Sequence, residues 1–171
     1  MKKLLVVLVA ATALVLTGAA AAKGPSEAKI AGPGLAAPLT IGGVGEGDTS
    51  TPLGLLVAET GFFPEVFGQS PSPLLRAKPG DLGPRYVVTY TVPGPSTDML
   101  EQELYPYADD GPTSYMRAGQ KFWGNQRTLG GWYRGASQLT EMLVRAGLPS
   151  AAPPERDLIA SVLRAILRHL L

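Results

Sequence analysis

The sequence predicts an α+β fold: a small antiparallel sheet with covering helices and a C-terminal amphipathic helix. Three observations predict it. Residues 85–92, RYVVTYTV, alternate in polarity with the two-residue period of a half-buried strand. Shorter strand candidates on either side are bounded by Gly and Pro, which is typical of tight turns. The last third of the chain repeats its apolar residues with the period of a helix.

The N-terminal half is predicted to hold two short strands and one helix. The strand candidates are Glu27–Ala31 and Leu39–Ile41, separated by a Gly-Pro-Gly turn. A helix is predicted from Thr51, a good N-cap with Pro at the first helical position, to a stop at Gly61. Residues 64–84 contain five prolines, which favours an irregular ordered loop.

The middle of the chain is predicted to form a hairpin. After the strand at residues 85–92, a second strand is predicted at Glu101–Tyr107. Residues 108–112 then turn the chain, and Thr113–Met116 returns antiparallel. Because Pro106 has no N–H for a ladder, we expect its strand to lie at an edge of the sheet or to carry a bulge there.

Two helices are predicted after the sheet. The first begins at Ser137, as N-cap, and ends at Ala146, and the Pro-rich residues 149–154 form a linker. The second, Glu155–Leu171, has a wide apolar face formed by Leu158, Ile159, Val162, Leu163, Ile166, Leu167 and Leu170. This face must be covered by the domain, by a partner or by a membrane surface. Docking on the domain is the default expectation, although the arginines of the helix would suit an anionic surface.

The first 22 residues have the three parts of a secretory signal peptide. Lys2 and Lys3 precede an apolar run, and the small residues Ala20 and Ala22 fit the narrow pockets of a signal peptidase. Cleavage after Ala22 leaves a single α+β domain at residues 23–150, followed by the linker and C-terminal helix of residues 151–171. The alternative is an uncleaved N-terminal membrane anchor. Either outcome places the protein outside the cytoplasm, secreted or in the cell envelope.

Composition narrows the classes of function. The chain has no cysteine, so an exported form must hold its fold without disulfides and cannot use a thiol nucleophile. Residues 23–111 carry 5 basic and 11 acidic side chains, net −6, and residues 112–171 carry 8 basic and 3 acidic, net +5. The basic half could face an anionic envelope polymer or lipid, but we expect the two halves mainly to complement each other within one fold. We expect no nucleic-acid partner for an exported chain of this charge.

No motif predicts a catalytic residue, a metal or a cofactor. The single histidine, His169, lies three residues from the end of the chain, where a catalytic site is hard to hold rigid. Residues 42–47 lack the glycine spacing and the lysine of a phosphate loop. Residues 109–111 fit a plain turn better than a calcium loop. Glu101 and Glu103 could cut a glycosidic bond only if the pair lined a cleft, and a solvated strand face is the simpler expectation.

Aromatic residues are concentrated between residues 105 and 133, which hold seven of the chain's twelve. Together on the surface they would form a platform for a sugar or peptide, because flat rings bind with little loss of entropy. We expect most of them to build the core of a disulfide-free domain instead. If a ligand site exists, its candidate residues are Tyr105, Tyr107, Tyr115, Trp123, Trp132 and Tyr133.

Several segments resemble a recurring pattern in uncharacterised exported proteins of high-G+C Gram-positive bacteria. They read ELYPYADDGPTSYMRAGQKFW, TLGGWYRGASQL and AGLP, with FFPEVFG and GDLGPRYVVTYTVPG upstream. The resemblance covers roughly residues 24–149 and brings no activity, cofactor or catalytic residue with it. We therefore expect a non-enzymatic envelope or secreted protein that binds a cell-wall polymer or a membrane surface, or has a structural role. A small carboxylate-dependent hydrolase of a cell-wall polymer is the alternative.

Overall fold

The computed structural model of the chain describes residues 24–45 and 47–154. The predicted signal peptide, residues 1–22, and the predicted helix at residues 155–171 lie outside the described residues. Within the described part, no helix combines the length and the apolar composition needed to cross a bilayer.

The described residues form eight strands and three helices. In chain order they are β1 (Glu27–Ala31), β2 (Leu39–Gly42), α1 (Pro52–Glu59), α2 (Phe62–Phe67), β3 (Tyr86–Val92), β4 (Asp98–Tyr105), β5 (Thr113–Met116), β6 (Lys121–Phe122), β7 (Gln126–Arg127), β8 (Gly131–Arg134) and α3 (Ser137–Ala146).

Six of these strands form one sheet in the order β2-β1-β3-β4-β5-β8, and each neighbouring pair is antiparallel. The strands β6 and β7 form a separate two-stranded hairpin. With three helices beside the sheet, this is the α+β arrangement that the sequence predicts. The longest strands, β3 and β4, lie in the middle of the sheet and pair from Tyr86↔Leu104 to Val92↔Asp98.

The two faces of the sheet are covered differently. On one face, Tyr86, Val88, Tyr90 and Val92 of β3 are fully buried in the core. The helices contribute Leu53, Leu56, Val57, Phe62, Val66, Leu139, Met142 and Leu143 to the same core. Successive side chains of a strand point to opposite faces, so the odd-numbered residues of β3, β4 and β5 form a second face. We call this second face the open face.

Several predicted elements are confirmed: the strands at 27–31, 86–92 and 113–116, and the helix after Thr51. The side chain of Thr51 accepts a hydrogen bond from Gly54 N over 3.1 Å, as an N-cap should. The expectation for Pro106 is wrong. The strand β4 ends at Tyr105, and it lies between β3 and β5 rather than at an edge, because the chain leaves the sheet before the proline.

The cap predicted for the helix at 137–146 is also wrong. Ser137 is the first helical residue, and Ala136 occupies the cap position without a side-chain hydrogen bond. The acceptor for the N–H of Ala136 comes from another helix instead: Ala136 N donates to Glu59 Oε2, at the end of α1, over 2.7 Å. The second oxygen of Glu59 accepts from Gln138 Nε2 over 2.6 Å. The end of α1 thus caps the start of α3 and fixes the two helices together.

Candidate functional site

A row of directly opposed side chains crosses the open face. Glu103 of β4 lies opposite Val87 of β3 on one side and Tyr115 of β5 on the other. Tyr115 in turn lies opposite Trp132 of β8. Neighbouring strands are about 4.8 Å apart, so the row spans roughly 14 Å across four strands. Its length suits an extended ligand lying across the strands.

Three of the six candidate aromatics meet at one end of this row. The Trp132 ring lies 4.6 Å from the Tyr115 ring at an interplanar angle of 31°. It also lies 6.0 Å from the Tyr105 ring at 32°. Tyr105 is buried with Leu82 and Ala108 in a small second cluster, whereas Tyr115 and Trp132 are only partly buried. We call Tyr105, Tyr115 and Trp132 the aromatic trio.

Polar groups lie beside the trio. Arg85 Nη1 donates to Glu103 Oε1 over 2.8 Å, and the Tyr105 hydroxyl donates to Glu103 Oε2 over 2.5 Å. Burial raises the pKa of Tyr105 well above its usual value, and its hydrogen bond to Glu103 and the charge of that carboxylate raise it further. Tyr105 therefore remains a protonated donor and fixes the position of Glu103.

The side-chain amide of Gln120 completes this surface by pairing with the backbone of β4, as a neighbouring strand would. Its Oε1 accepts from Glu101 N over 2.8 Å, and its Nε2 donates to Glu101 O over 2.7 Å. The amide thus continues the ladder beside β4 beyond the last residue of β5, Met116. The result is a groove of about 360 Å³, lined by Arg85, Val87, Glu101, Gln102, Glu103, Tyr115, Arg117 and Gln120. We call it the sheet groove.

A second groove continues from the first. It has a volume of about 650 Å³ and is lined by Lys78, residues 80–85, Tyr105 and Pro153. Arg85 belongs to both grooves. The loop predicted at residues 64–84 begins only after α2, because residues 62–67 are helical. Its later part supplies one wall of a longer depression, and Arg85 marks where the two grooves join. We call this second part the loop groove.

Two of the remaining candidate aromatics lie away from the sheet groove. Tyr107 packs on Tyr86, with ring centroids 6.2 Å apart, and its hydroxyl donates to Pro149 O. Tyr133 points to the core side of β8 and lies against Gly61, which has a φ of +64°. A side chain at Gly61 would overlap the Tyr133 ring, so only glycine fits both the conformation and the contact. Both tyrosines are packing residues in this arrangement.

The sixth candidate, Trp123, directly follows β6 and has an unusual backbone conformation. Its φ of +44° lies in the left-handed region, which is a genuine outlier for a bulky residue. Its N–H donates to Asp98 Oδ2 over 2.7 Å, and its indole N–H donates to Pro93 O over 2.8 Å. The ring lies 5.6 Å from Phe67 and 5.4 Å from Phe122. These contacts offset a backbone strain of about 1–3 kcal/mol.

A buried polar network on the core side includes residues that the sequence reasoning did not single out. Glu65 is completely buried, and Gln102 Nε2 donates to its Oε2. Gln102 Nε2 also donates to Thr60 O over 2.8 Å, and Ser114 Oγ donates to Thr60 O over 2.6 Å. Two features of the sequence point to this network. Glu65 is the one charged residue in the apolar run FFPEVF, and Gln102 lies on the same face of its strand as the apolar Leu100 and Leu104.

Glu65 is held in its neutral form. Burial raises the pKa of its carboxyl from 4.5 to about 9, against the opposing effect of hydrogen bonds from Gln102 and Ser114. Ser114 Oγ donates over 2.6 Å to Thr60 O and makes a longer contact of 3.4 Å with Glu65 Oε1. Every buried side-chain N or O atom in the described residues has a hydrogen-bond partner. The network therefore stabilises the core between α2 and the sheet.

The carboxylates proposed for hydrolysis both line the sheet groove. Glu103 is bound by Arg85 and Tyr105, and Glu101 is exposed. They are two residues apart on one strand, so they rise from the same floor of the groove. Glycoside hydrolysis instead requires two carboxyl groups that flank the scissile bond. The described residues contain no cluster of three or more side chains suited to holding a metal ion.

Comparison with known proteins adds no relative to this geometry. No family model, no curated protein and no solved structure matches the chain.

Proposed function

We propose that this chain is an exported, non-enzymatic cell-envelope protein that binds a saccharide-containing wall polymer in the sheet groove. The observation that carries the proposal is the juxtaposition of the aromatic trio with fixed polar groups on the open face of the sheet. Sugar rings present apolar C–H faces and a rim of hydroxyl groups, and they need both kinds of surface at once.

The aromatic end supplies the apolar surface. Trp132 and Tyr115 are partly exposed, and their rings are stacked on one another with centroids 4.6 Å apart, so a sugar can stack on a ring face that the other ring does not cover. Tyr105 supports Trp132 from the buried side. Such rings lose little conformational entropy on binding because packing already holds them.

The charged end supplies hydrogen bonds. Arg85 and Glu103 are already oriented by each other and by Tyr105, and Glu101 and Arg117 are exposed beside them. Carboxylate and guanidinium groups can accept from and donate to neighbouring hydroxyls. The loop groove continues this surface, which favours a polymer over a single sugar.

Binding to insoluble cell-wall polymer, measured by co-sedimentation, tests the proposal. Tyr115→Ala is expected to weaken binding about 5- to 150-fold, if a stacked ring contributes about 1–3 kcal/mol, as it does for bases stacked on aromatic side chains. Met99→Ala is the matched control, because Met99 is a large exposed side chain on the same face of β4, 51% exposed, but does not line either groove. Equal binding by both variants, with unchanged melting temperatures, would refute the proposal.

The second candidate is a small carboxylate-dependent hydrolase of a wall polymer, favoured by the presence of both Glu101 and Glu103 in the sheet groove. Release of reducing ends from the polymer would support it, provided that Glu101→Gln or Glu103→Gln abolishes the release. Under the binding proposal, the wild-type protein retains the polymer and releases none.

A further inference from the structure

Positive and negative side chains are balanced along the sheet groove and the loop groove. The described residues that line them include three cations and three carboxylates: Lys78, Arg85, Arg117, Asp81, Glu101 and Glu103. Where the two grooves join, Arg85 and Glu103 form an ion pair over 2.8 Å. Each of these two charges offsets the other, so a ligand at this point meets no excess charge of either sign.

A second set of opposite charges, Glu101 and Arg117, is held together through the backbone. Gln120 Nε2 donates to Glu101 O over 2.7 Å and to Arg117 O over 3.3 Å. One side-chain amide thus joins the two backbone segments from which these charges rise. Both side chains are exposed and line the sheet groove, and within residues 24–45 and 47–154 neither belongs to an ion pair. Both are therefore free to act on a ligand.

The carboxylate of Glu101 opposes the attraction that the two arginines would otherwise exert on an anion. Without it, the lining of the sheet groove would carry one net positive charge, because Arg85 and Arg117 would face only the carboxylate of Glu103. With it, a phosphate or carboxylate group of a ligand gains no net attraction and must lie near a like charge. Two unit charges 4 Å apart in water change an affinity about fivefold.

The domain as a whole adds no attraction for an anionic polymer. Residues 24–154 carry 9 basic and 12 acidic side chains, net −3. A domain of net negative charge repels an anionic polymer as it approaches. The hydroxyl and amide groups of an uncharged saccharide, in contrast, can hydrogen-bond to both carboxylates and guanidinium groups without a cost in charge repulsion.

We infer that the two grooves take an uncharged stretch of saccharide, and that Glu101 excludes polymers that carry phosphate or carboxylate groups. The inference rests on the proposed function and specifies the chemical class of the polymer. Repulsion of the wrong ligand gives specificity without requiring tighter binding of the right one.

Competition in the wall co-sedimentation assay tests the inference with two soluble saccharides of equal length. One is a hexamer of β-linked N-acetylglucosamine, which is uncharged, and the other is a hexamer in which every second residue is a glucuronate. At low ionic strength, the uncharged hexamer should displace the full-length protein from the wall at a concentration at least about fivefold lower. Near 1 M salt, where the Debye length is about 3 Å, this difference should shrink.

Glu101→Gln tests the role of this carboxylate. It should improve competition by the glucuronate hexamer, relative to the uncharged hexamer, about fivefold. Glu141→Gln on α3 is the matched control, because it removes the same charge from an exposed side chain that lines neither groove, and it should leave this ratio unchanged. Equal ratios in the two variants would show that Glu101 does not exclude anions.

The outcomes separate this inference from the function on which it rests. Competition by the glucuronate hexamer alone, by both hexamers equally or by neither would overturn the inference and leave the binding of wall polymer standing. A wild-type protein that does not sediment with the wall would overturn the proposed function, and this inference with it.

Discussion

At the scale of single residues, Glu65 makes the stability of the fold depend on pH. Folding raises the pKa of its carboxyl from 4.5 to about 9. The unfolded chain therefore loses this proton near pH 4.5, whereas the folded chain keeps it until about pH 9. The stabilisation contributed by the neutral carboxyl is complete below pH 4.5 and is lost as the pH rises toward 9.

We predict that Glu65→Gln removes this loss. The new amide has the size and shape of the neutral acid and can still accept from Gln102, so it keeps this packing without titrating. Between pH 5 and 9, the free energy of unfolding of the wild type should fall relative to the variant by at most about 1.4 kcal/mol per pH unit. Urea unfolding at several pH values measures this difference, and parallel pH profiles would contradict the prediction.

Trp123 offers a second test at this scale, because the effect of its φ of +44° on stability can be measured separately from the effect of its ring. Trp123→Ala and Trp123→Gly both remove the indole, its hydrogen bond to Pro93 and its contact with Phe67. Only glycine adopts a left-handed conformation without strain, so the Gly variant should be about 1 kcal/mol more stable than the Ala variant. Thermal unfolding of the pair checks this order. The reverse order would mean that the backbone relaxes once the ring is gone.

At the scale of elements, α3 depends on α1 for its N-terminal hydrogen bonds. Glu59→Ala removes the acceptor of both Ala136 N and Gln138 Nε2, and it should destabilise the fold by about 1–2 kcal/mol. Gln138→Ala removes only the side-chain bond and serves as the control, with an expected loss below about 1 kcal/mol. Denaturant unfolding of both variants measures the difference, and equal losses would mean that Ala136 N finds another acceptor.

The helix α3 shows why the sequence predicts a helix but not the residue that caps it. The apolar period of residues 137–146 is local and is confirmed, whereas the capping carboxylate lies 77 residues away in sequence. The sequence does not predict β8 for a similar reason: GWYR is only four residues long and forms a strand because it pairs with the edge of β5. Propensity alone cannot reveal such partners.

The sequence likewise predicts which residues could form the candidate site but not which of them come together. The concentration of aromatic residues is visible in the sequence, but which rings meet depends on strand register. Tyr115 and Trp132 come together because they are directly paired, whereas Tyr133, the next residue, points to the core. A shift of one residue in the register would exchange the two faces.

At the scale of the whole molecule, the proposed export makes a direct prediction about the mature chain. Cleavage after Ala22 is favoured by the lysines at the start of the chain, the apolar run that follows them and the small residues Ala20 and Ala22 before the cleavage site. N-terminal sequencing of the protein from culture medium or envelope should therefore begin at Lys23. Replacing Ala22 with a bulky residue, as in Ala22→Phe, should slow processing, and Ala11→Val in the apolar run is the control. A membrane-bound chain that begins at Met1 would instead support the uncleaved anchor.

The contact between Leu75 and Trp132 has a consequence for how copies of this protein behave in concentrated solution. Leu75 N donates to Trp132 O over 2.7 Å and so occupies the outer edge of β8, which would otherwise offer its backbone to a strand from another molecule. Pro73, two residues earlier, has no N–H, so this isolated bridge cannot lengthen on that side of Leu75. The proline-rich loop thus ends the sheet on this side and protects it from edge-to-edge aggregation, a protection that matters for a chain without disulfides.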